Sequence, residues 1–263
     1  MEDKKASNRI LVKKHEEEIY DIAMSLPPDY RKKLDVHIEK CSGTLAWKMQ
    51  NFTRFVPKQA LSRFLHRAEM FNRVLNIQGS IVECGVLGGF GLMTWAQLSA
   101  IYEPLNWQRK IIGFDTFSGF PQISEKDLAT EISCKRPGGL ALDSYAEILE
   151  SIALYDSNRF LGQINKVELV KGDILETVPK YLKNNPATLI SLMYLDVDIY
   201  EPTKIALEYF VPRMPKGAII AFDELNDDSW PGETLALIET LGIRDIRLER
   251  FTYDTKVCFA VLE

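Results

Sequence analysis

The sequence predicts an α/β fold: a doubly wound, mostly parallel sheet of seven strands that ends in an antiparallel hairpin and follows a helical N-terminal cap. Three observations predict it. From Ser80 onward short apolar runs alternate with amphipathic segments, the alternation that builds parallel βαβ units. The chain then closes on two alternating runs separated by Asp254-Thr255, which is hairpin spacing. Before Ser80 the apolar periodicity is helical instead.

In chain order, residues from about Leu11 to Leu75 read as helices broken at Pro27-Pro28, at Ser42-Gly43 and at Pro57, the last running from Pro57 to Leu75. This predicts a cap over 1–75 and a second domain over 76–263. Its five parallel strands are expected at Ile81-Val82, Lys110 to Phe114, Val167 to Val170, Leu189 to Leu195 and Ala218 to Phe222. The hairpin runs are Arg244 to Tyr253 and Lys256 to Leu262. Pro202 and Pro231 fall where the first turns of helices begin, with Glu233 favouring the N-terminal dipole. The stretch from Pro121 to Asp143 is polar, contains Pro137-Gly138-Gly139 and is long for a connection. A lid at the carboxyl ends of the strands and a passive surface insertion are equal readings of it.

Composition narrows the function classes. Asp and Glu exceed Lys and Arg by 37 to 32, a net charge of −5, and basic runs are confined to short pieces such as Lys4-Lys5 and Arg31-Lys32-Lys33. No nucleic-acid partner is expected. The charged start Met-Glu-Asp-Lys-Lys lacks the apolar core of a signal peptide and no apolar run reaches spanning length, so a cytoplasmic protein without membrane association is expected. Cys41, Cys84, Cys134 and Cys258 form no C-x-x-C pair and read as free thiols. With His15, His37 and His66 all in the first quarter, a zinc site or Ser-His-Asp triad drawing on the C-terminal half is excluded. The sequence leaves homo-oligomer formation open.

The sharpest signal is Ile81-Val82-Glu83-Cys84-Gly85-Val86-Leu87-Gly88-Gly89-Phe90-Gly91, which leaves a strand, turns on glycines and opens a helix. It fits E-x-G-x-x-x-G rather than the G-x-G-x-x-G spacing that brings backbone against a pyrophosphate. S-adenosylmethionine carries an amino-acid tail in place of phosphates. Such a turn needs close backbone approach at Gly85 and Gly89, where a side chain would intrude on the cofactor, and an acid such as Glu83 to orient turn and tail. A tight turn without ligand is the bland alternative.

Two further acids follow at strand ends. Asp115 closes Ile111-Ile112-Gly113-Phe114-Asp115, where a doubly wound fold places the carboxylate that grips ribose hydroxyls. Asp173 follows Val170-Lys171-Gly172, positioned either to approach adenine or to cap the next helix. With Thr116, Ser118 and Ile174 beside them, these residues complete the candidate donor set. Strand four ends Leu195-Asp196-Val197-Asp198 and strand five ends Phe222-Asp223-Glu224. Neighbouring strands lie roughly 5 Å apart, so acids at these ends can converge on a hard cation such as Mg²⁺. A solvated acidic loop from Asp223 to Asp228 is the alternative.

Three of these pieces, Gly79-Ser80-Ile81-Val82-Glu83-Cys84-Gly85-Val86, Phe114-Asp115-Thr116-Phe117-Ser118-Gly119-Phe120-Pro121 and Asp196-Val197-Asp198-Ile199-Tyr200-Glu201-Pro202-Thr203, resemble the macrocin and mycinamicin type of sugar O-methyltransferase, the TylF family. The resemblance runs from about Phe52 to Glu239. It implies a Rossmann-like methyltransferase sheet, methyl transfer from S-adenosylmethionine to a deoxysugar hydroxyl, a small-molecule acceptor borne on a natural product or nucleotide, and Mg²⁺ held by Asp196, Asp223 and Glu224. Two departures stand out: Asp223-Glu224 where the family commonly has adjacent aspartates, and the segment from Asn226 to Thr234, which does not map onto better-known members.

Transfer from sulfonium to oxygen requires deprotonation and alignment of the hydroxyl. Asp196 is the expected proton acceptor. Tyr200, Trp230 and Phe120 are equally candidates for an acceptor wall and for ordinary core. A metal-independent methyltransferase and a nonenzymatic S-adenosylmethionine-binding module are the rival readings; an NAD-dependent oxidoreductase lacks its fingerprint.

Overall fold

In a computed structural model, residues 26, 27, 29–128 and 132–263 are described. The expected helical stretch from about Leu11 to the break at Pro27-Pro28 lies outside them through Ser25, as does His15. The chain divides into two compact units at Leu65/His66.

The first unit holds helices α1 (Tyr30–Lys40) and α2 (Leu45–Gln50) and the beginning of α3 (Lys58–Val74). Thr44 caps α2 by accepting from the Trp47 N–H at 3.2 Å. Lys48 Nζ donates to Ile38 O at 2.7 Å, and the Arg54 guanidinium lies 5.3 Å from the Trp47 ring centre.

The second unit opens within α3, because the second half of that helix carries Met70, Phe71 and Val74 into the sheet's core. The sheet comprises β1 (Ser80–Cys84), β2 (Ile111–Asp115), β3 (Val167–Lys171), β4 (Ile190–Leu195), β5 (Ile219–Phe222), β6 (Leu248–Arg250) and β7 (Cys258–Val261), in the order β3-β2-β1-β4-β5-β7-β6. Strands β1 to β5 pair in parallel, while β7 runs antiparallel to β5 and β6. Between them lie α4 (Phe90–Tyr102), α5 (Tyr145–Asn158), α6 (Ile174–Asn184), α7 (Tyr200–Phe210) and α8 (Pro231–Thr240). Pro231 is the first residue of α8 and Pro202 lies in the first turn of α7, as the sequence predicts.

Adjacent residues on each central strand point to opposite faces, so both faces need apolar cover. Ile81, Ile111, Leu192 and Ile219 join one cluster with Trp95 and Leu92 of α4 and Ile148 and Ile152 of α5. Val82, Ile112, Met193 and Ile220 join the other with Val178 of α6, Leu207 and Phe210 of α7 and Leu237 of α8. Among the described residues no helix is long and apolar enough to cross a membrane.

The C-terminal hairpin is looser than its sequence spacing suggests. The ladder runs from Leu248↔Ala260 to Arg250↔Cys258, so the connection is Phe251 to Val257 rather than a tight turn at Asp254-Thr255. Phe251 and Val257 leave the ladder because both are buried in the first core cluster.

Where α3 gives way to β1, one buried arginine gathers the loose carbonyls. Arg109 donates to Val74 O, Leu75 O, Ile77 O and Gly79 O at 3.0–3.2 Å and to the hydroxyl of Ser191, and pairs with Glu103 at 2.9 Å. Val74 is the last residue of the helix, and Leu75, Ile77 and Gly79 belong to the connection that follows it. Arg109→Met would strand these carbonyls together with the Glu103 carboxylate. Urea denaturation is expected to show a loss of about 3–5 kcal/mol, the cost of breaking a buried pair from one side; a loss under about 1 kcal/mol would show that the clamp is dispensable.

Candidate active site

The strand order reverses between β1 and β4, and a doubly wound sheet binds ligands in the crevice at that switch point. All candidate site residues lie in the second unit. At the carboxyl end of β2, Asp115 accepts from the N–H groups of Val86 and Leu87 at 2.7 and 2.9 Å through one oxygen, and from Phe117 N–H at 2.6 Å through the other. Asp115 thus fastens the glycine turn after β1 to the turn after β2.

Gly85 has φ +89°, and a Cβ built on it would overlap the carbonyl of Asp196. The first obstacle to a side chain here is therefore the end of β4, and not a cofactor as the sequence suggests. Gly89 is the N-cap of α4 at φ +84°, and its Cβ would meet Ile148 Cγ1 at 2.9 Å. Three residues other than glycine, Leu87, Phe117 and Asp198, also hold left-handed φ of 48°, 56° and 59° in the loops after β1, β2 and β4. Such backbone is costly and tends to gather at functional sites.

The remaining donor candidates are placed as follows. Glu83 is 2% exposed; its carboxylate lies beneath Gly91 in the first turn of α4 and accepts from Arg67 Nη2 at 3.3 Å. Thr116 Oγ1 donates to Gly119 O at 2.7 Å and accepts from the Ser118 N–H at 3.1 Å, closing a tight turn. Asp173 accepts from Leu175 N–H at 2.9 Å as the N-cap of α6. Ile174 is buried in the second core cluster.

At the ends of β4 and β5, Asp223 Oδ1 accepts from the hydroxyl of Tyr194 at 2.8 Å and Glu224 Oε1 meets Lys256 Nζ at 3.3 Å. Burial, with Asp223, Asp198 and Asp196 nearby, pushes the Glu224 carboxyl up to about 9 against the pull of Lys256. Beneath it Glu233 is fully buried and accepts from the Glu224 N–H at 2.9 Å, and burial holds its carboxyl well above the ordinary range. Glu233 therefore supports the acidic centre from within the core, a larger role than completing a helix dipole.

Arg67 and Asp198 are not among the site residues that the sequence points to, and His66 is conceivable there as an imidazole base only against the commoner reading of a packed or surface histidine. His66 and Arg67 sit on a helix with no motif around them; their pattern signal is only two polar residues on the buried stripe of α3. Asp198, by contrast, follows Asp196 at the end of strand four, and that repeated acid is a signal the sequence does carry.

The segment from Pro121 to Asp143 is docked, apart from 129–131, which lie outside the described residues. Asp127 is 1% exposed and accepts from Tyr200 N–H at 2.8 Å, capping α7, while Ser124 and Asp127 form a capping box. A Cβ on Gly232 would overlap the Asp127 carboxylate. Lys135 Nζ donates to Asp127 O at 2.8 Å and to Ser229 O, and lies 4.8 Å from the Trp230 ring centre. Phe120, Cys134, Ile199 and Trp230 form the apolar cluster beneath. Tyr200 is buried as well, its hydroxyl donating to Glu239 at 2.6 Å.

Magnesium prefers oxygen donors, which the acidic centre supplies. Glu224 Oε2 and Glu233 Oε1 are buried without a hydrogen-bond partner, and a cation is one way to satisfy such an atom. The donor chemistry thus fits. As the side chains stand, no group of three Asp, Glu, His or Cys among the described residues could hold a metal ion. Tyr194 engages only Oδ1 of Asp223 and Lys256 only Oε1 of Glu224.

With this geometry in hand, comparison with known proteins gives consistent results. The family model described as Macrocin-O-methyltransferase (TylF) matches residues 2–232. The crystal structure of CalS11, a calicheamicin methyltransferase, superimposes with a TM-score of 0.85 at 33% identity, covering 90% of this chain and 93% of that one. An apo structure of CalS11, described as a TDP-rhamnose 3'-O-methyltransferase, gives a TM-score of 0.77 at 32% identity over 90% of this chain and 95% of that one. A Streptomyces olivaceus tetracenomycin rhamnosyl 4'-O-methyltransferase is 26% identical over 159 residues, 58% of this chain. The match spans about half that curated relative's length, 55%.

The overlap at Gly85 generates a paired prediction. Gly85→Ala adds the strain of a left-handed alanine, about 1–2 kcal/mol, to overpacking against Asp196 worth about 1–3 kcal/mol. Gly138→Ala, at φ +76° with nothing within 4 Å of its Cβ, carries strain alone. Chemical denaturation should rank Gly85→Ala clearly below Gly138→Ala; equal stabilities would show that β1 and β4 can separate freely.

Proposed function

Because the chain belongs to the macrocin O-methyltransferase (TylF) family, we propose that it transfers the methyl group of S-adenosylmethionine to a hydroxyl of a deoxysugar carried on a nucleotide or natural product. The observation that carries this reading is the contact of Gly85 with Asp196, which joins the glycine turn to the first acid of the acidic centre. A methyl donor bound at the turn and a hydroxyl bound at the acids would then face each other across that contact.

On the donor side, the carboxylate of Asp115 can bind ribose hydroxyls through the lone pairs left by its three backbone partners. Glu83 acts indirectly, since burial removes it from the ligand: it fixes the first turn of α4, whose N-terminus faces the amino-acid tail. Gly85 and Gly89 keep the turn tight, Thr116 and Ser118 shape the loop beside the ribose, and Asp173 with Ile174 borders the adenine while capping α6. On the acceptor side Asp196, 23% exposed at its side chain, takes the hydroxyl proton. Displacement in line with the sulfonium then neutralises both charges, so a dry, pre-aligned site speeds it. Bound Mg²⁺, held by Asp196, Asp223 and Glu224, would supply positive charge that lowers the pKa of the hydroxyl. A metal-independent variant is the second reading, favoured by Lys256, whose ammonium already stands against Glu224.

TDP-rhamnose is the acceptor to try first, since CalS11 is 33% identical and described as acting on it. Mass spectrometry should show one added methyl group, and Asp196→Asn should cut kcat about 100-fold or more while S-adenosylhomocysteine affinity stays within about threefold. Failure to bind S-adenosylhomocysteine in calorimetry would reject the function outright.

The metal has its own test. Ligation requires the raised Glu224 carboxyl to lose its proton, so Mg²⁺ should raise the melting temperature more at about pH 9 than at about pH 6. Without metal the sign reverses: a carboxyl raised from about 4.3 in the unfolded chain stabilises the fold at low pH, and that stability is lost as pH rises through its folded value. No response to Mg²⁺ at either pH, with full activity in EDTA, would establish the metal-independent reading.

A further inference from the structure

We propose that Arg67 is a positioning residue that sets Asp196 against the donor turn, one guanidinium nitrogen standing between an acid of each side. The proposal rests on the reading of Asp196 as the acid that meets the acceptor hydroxyl. Arg67 is 1% exposed, and its Nη2 lies 3.3 Å from Glu83 Oε1 and 3.9 Å from Asp196 Oδ2. Glu83 is the acid beneath the first turn of α4; Asp196 is the acid at the end of β4.

The guanidinium is held on its other sides. Its Nη1 lies 2.9 Å from His66 Nε2, and an arginine nitrogen can only donate, so this imidazole nitrogen is the acceptor. The ring proton then sits on Nδ1, facing Asp254 Oδ2 at 2.9 Å. A neutral ring agrees with burial, which lowers the His66 pKa. The Tyr194 ring centre lies 4.2 Å from the guanidinium carbon, with Trp95 and Phe90 at 5.7 and 5.6 Å. Tyr194 in turn donates to Asp223. A planar group fixed on three sides has little freedom to follow either carboxylate, so the carboxylates are placed by it.

This arrangement gives the donor site a route to the acceptor acid. A Cβ on Gly91 would overlap Glu83 Oε1, so the carboxylate is pressed against the turn that opens α4. One fixed nitrogen thus sets both the carboxylate beneath the donor turn and Asp196, so the two sides keep one register. Lysine at this position keeps the charge but loses the fork that reaches His66 and both acids. Glutamine loses the charge too.

Two measurements test the proposal. With the rhamnosyl nucleotide as acceptor, Arg67→Lys should lower kcat about 10-fold and Arg67→Gln about 100-fold, while acceptor KM and S-adenosylhomocysteine affinity stay within about threefold. An unchanged kcat in a folded variant overturns the proposal, as does donor affinity falling in step with kcat, which would leave Arg67 a support of the turn alone. The second measurement needs no activity and keeps the wild-type arginine. In protein labelled with ¹⁵N at arginine, the Arg67 guanidinium signals, identified by their loss in Arg67→Lys, should shift both in Asp196→Asn and in Glu83→Gln. Signals indifferent to Asp196→Asn overturn the proposal. A shift there supports it even if the wild-type protein leaves the nucleotide unmethylated, a result that counts against the acceptor reading alone.

Discussion

The backbones of β1 and β4 approach each other so closely at their carboxyl ends that the residue after β1 can carry no side chain. Gly85 donates its N–H to Phe114 O at 2.9 Å, and Asp196 donates its own to Cys84 O at 2.9 Å, so the three strands are still laced together where their ladders end. Everything at the candidate site is hung from this seam. The glycine turn departs from one side of it and is tied down by Asp115; the acidic loop departs from the other. Left-handed residues in the loops after β1, β2 and β4 follow from the same geometry, since chains leaving neighbouring strands at such close quarters must diverge sharply.

Each carboxylate about this seam meets a donor. Arg67 faces Glu83, Tyr194 faces Asp223, Lys256 faces Glu224 and His66 faces Asp254. Burying a carboxylate with one strong donor leaves its second oxygen poor in partners, and that deficit is visible at Glu224 and Glu233. Both respond by holding protons more tightly. The acidic centre thus gathers carboxyls whose ionisation burial opposes, and perturbed groups of this kind cluster at functional sites.

The fold was legible because its signals are periodic. Ile81-Val82, Ile111-Ile112, Leu192-Met193 and Ile219-Ile220 each show a two-sided strand, and the glycine-bearing loop between Cys84 and Phe90 shows a strand giving way to a helix. Acids at strand ends were equally visible, because chain order fixes which strand ends meet. Partnership was not visible. That Glu83 turns inward to Arg67 and that Asp115 spends both oxygens on backbone are decided by side-chain direction, which spacing does not encode, whereas the cap at Asp173 is one of its two sequence readings. The hairpin is present, but its strands are shorter and its connection longer than the spacing suggests: Phe251 and Val257 alternate like strand residues, yet both are buried in the core. His66 and Arg67 were hardest of all, since their partners lie far along the chain or on elements that only tertiary packing brings near.

One feature of the segment from Pro121 to Asp143 reaches beyond this molecule. Asp127 caps α7, presses on Gly232 and, through its carbonyl, holds Lys135, which reaches Ser229 and Trp230. The segment and the stretch from Ser229 to Gly232 are therefore mechanically one part, though nearly a hundred residues separate them in the chain. A chimera that imports this segment from a relative without its counterpart would uncap a helix and bury an orphaned carboxylate. Domain-shuffling schemes should exchange the two stretches as a single cassette, with Tyr200 as the shared anchor.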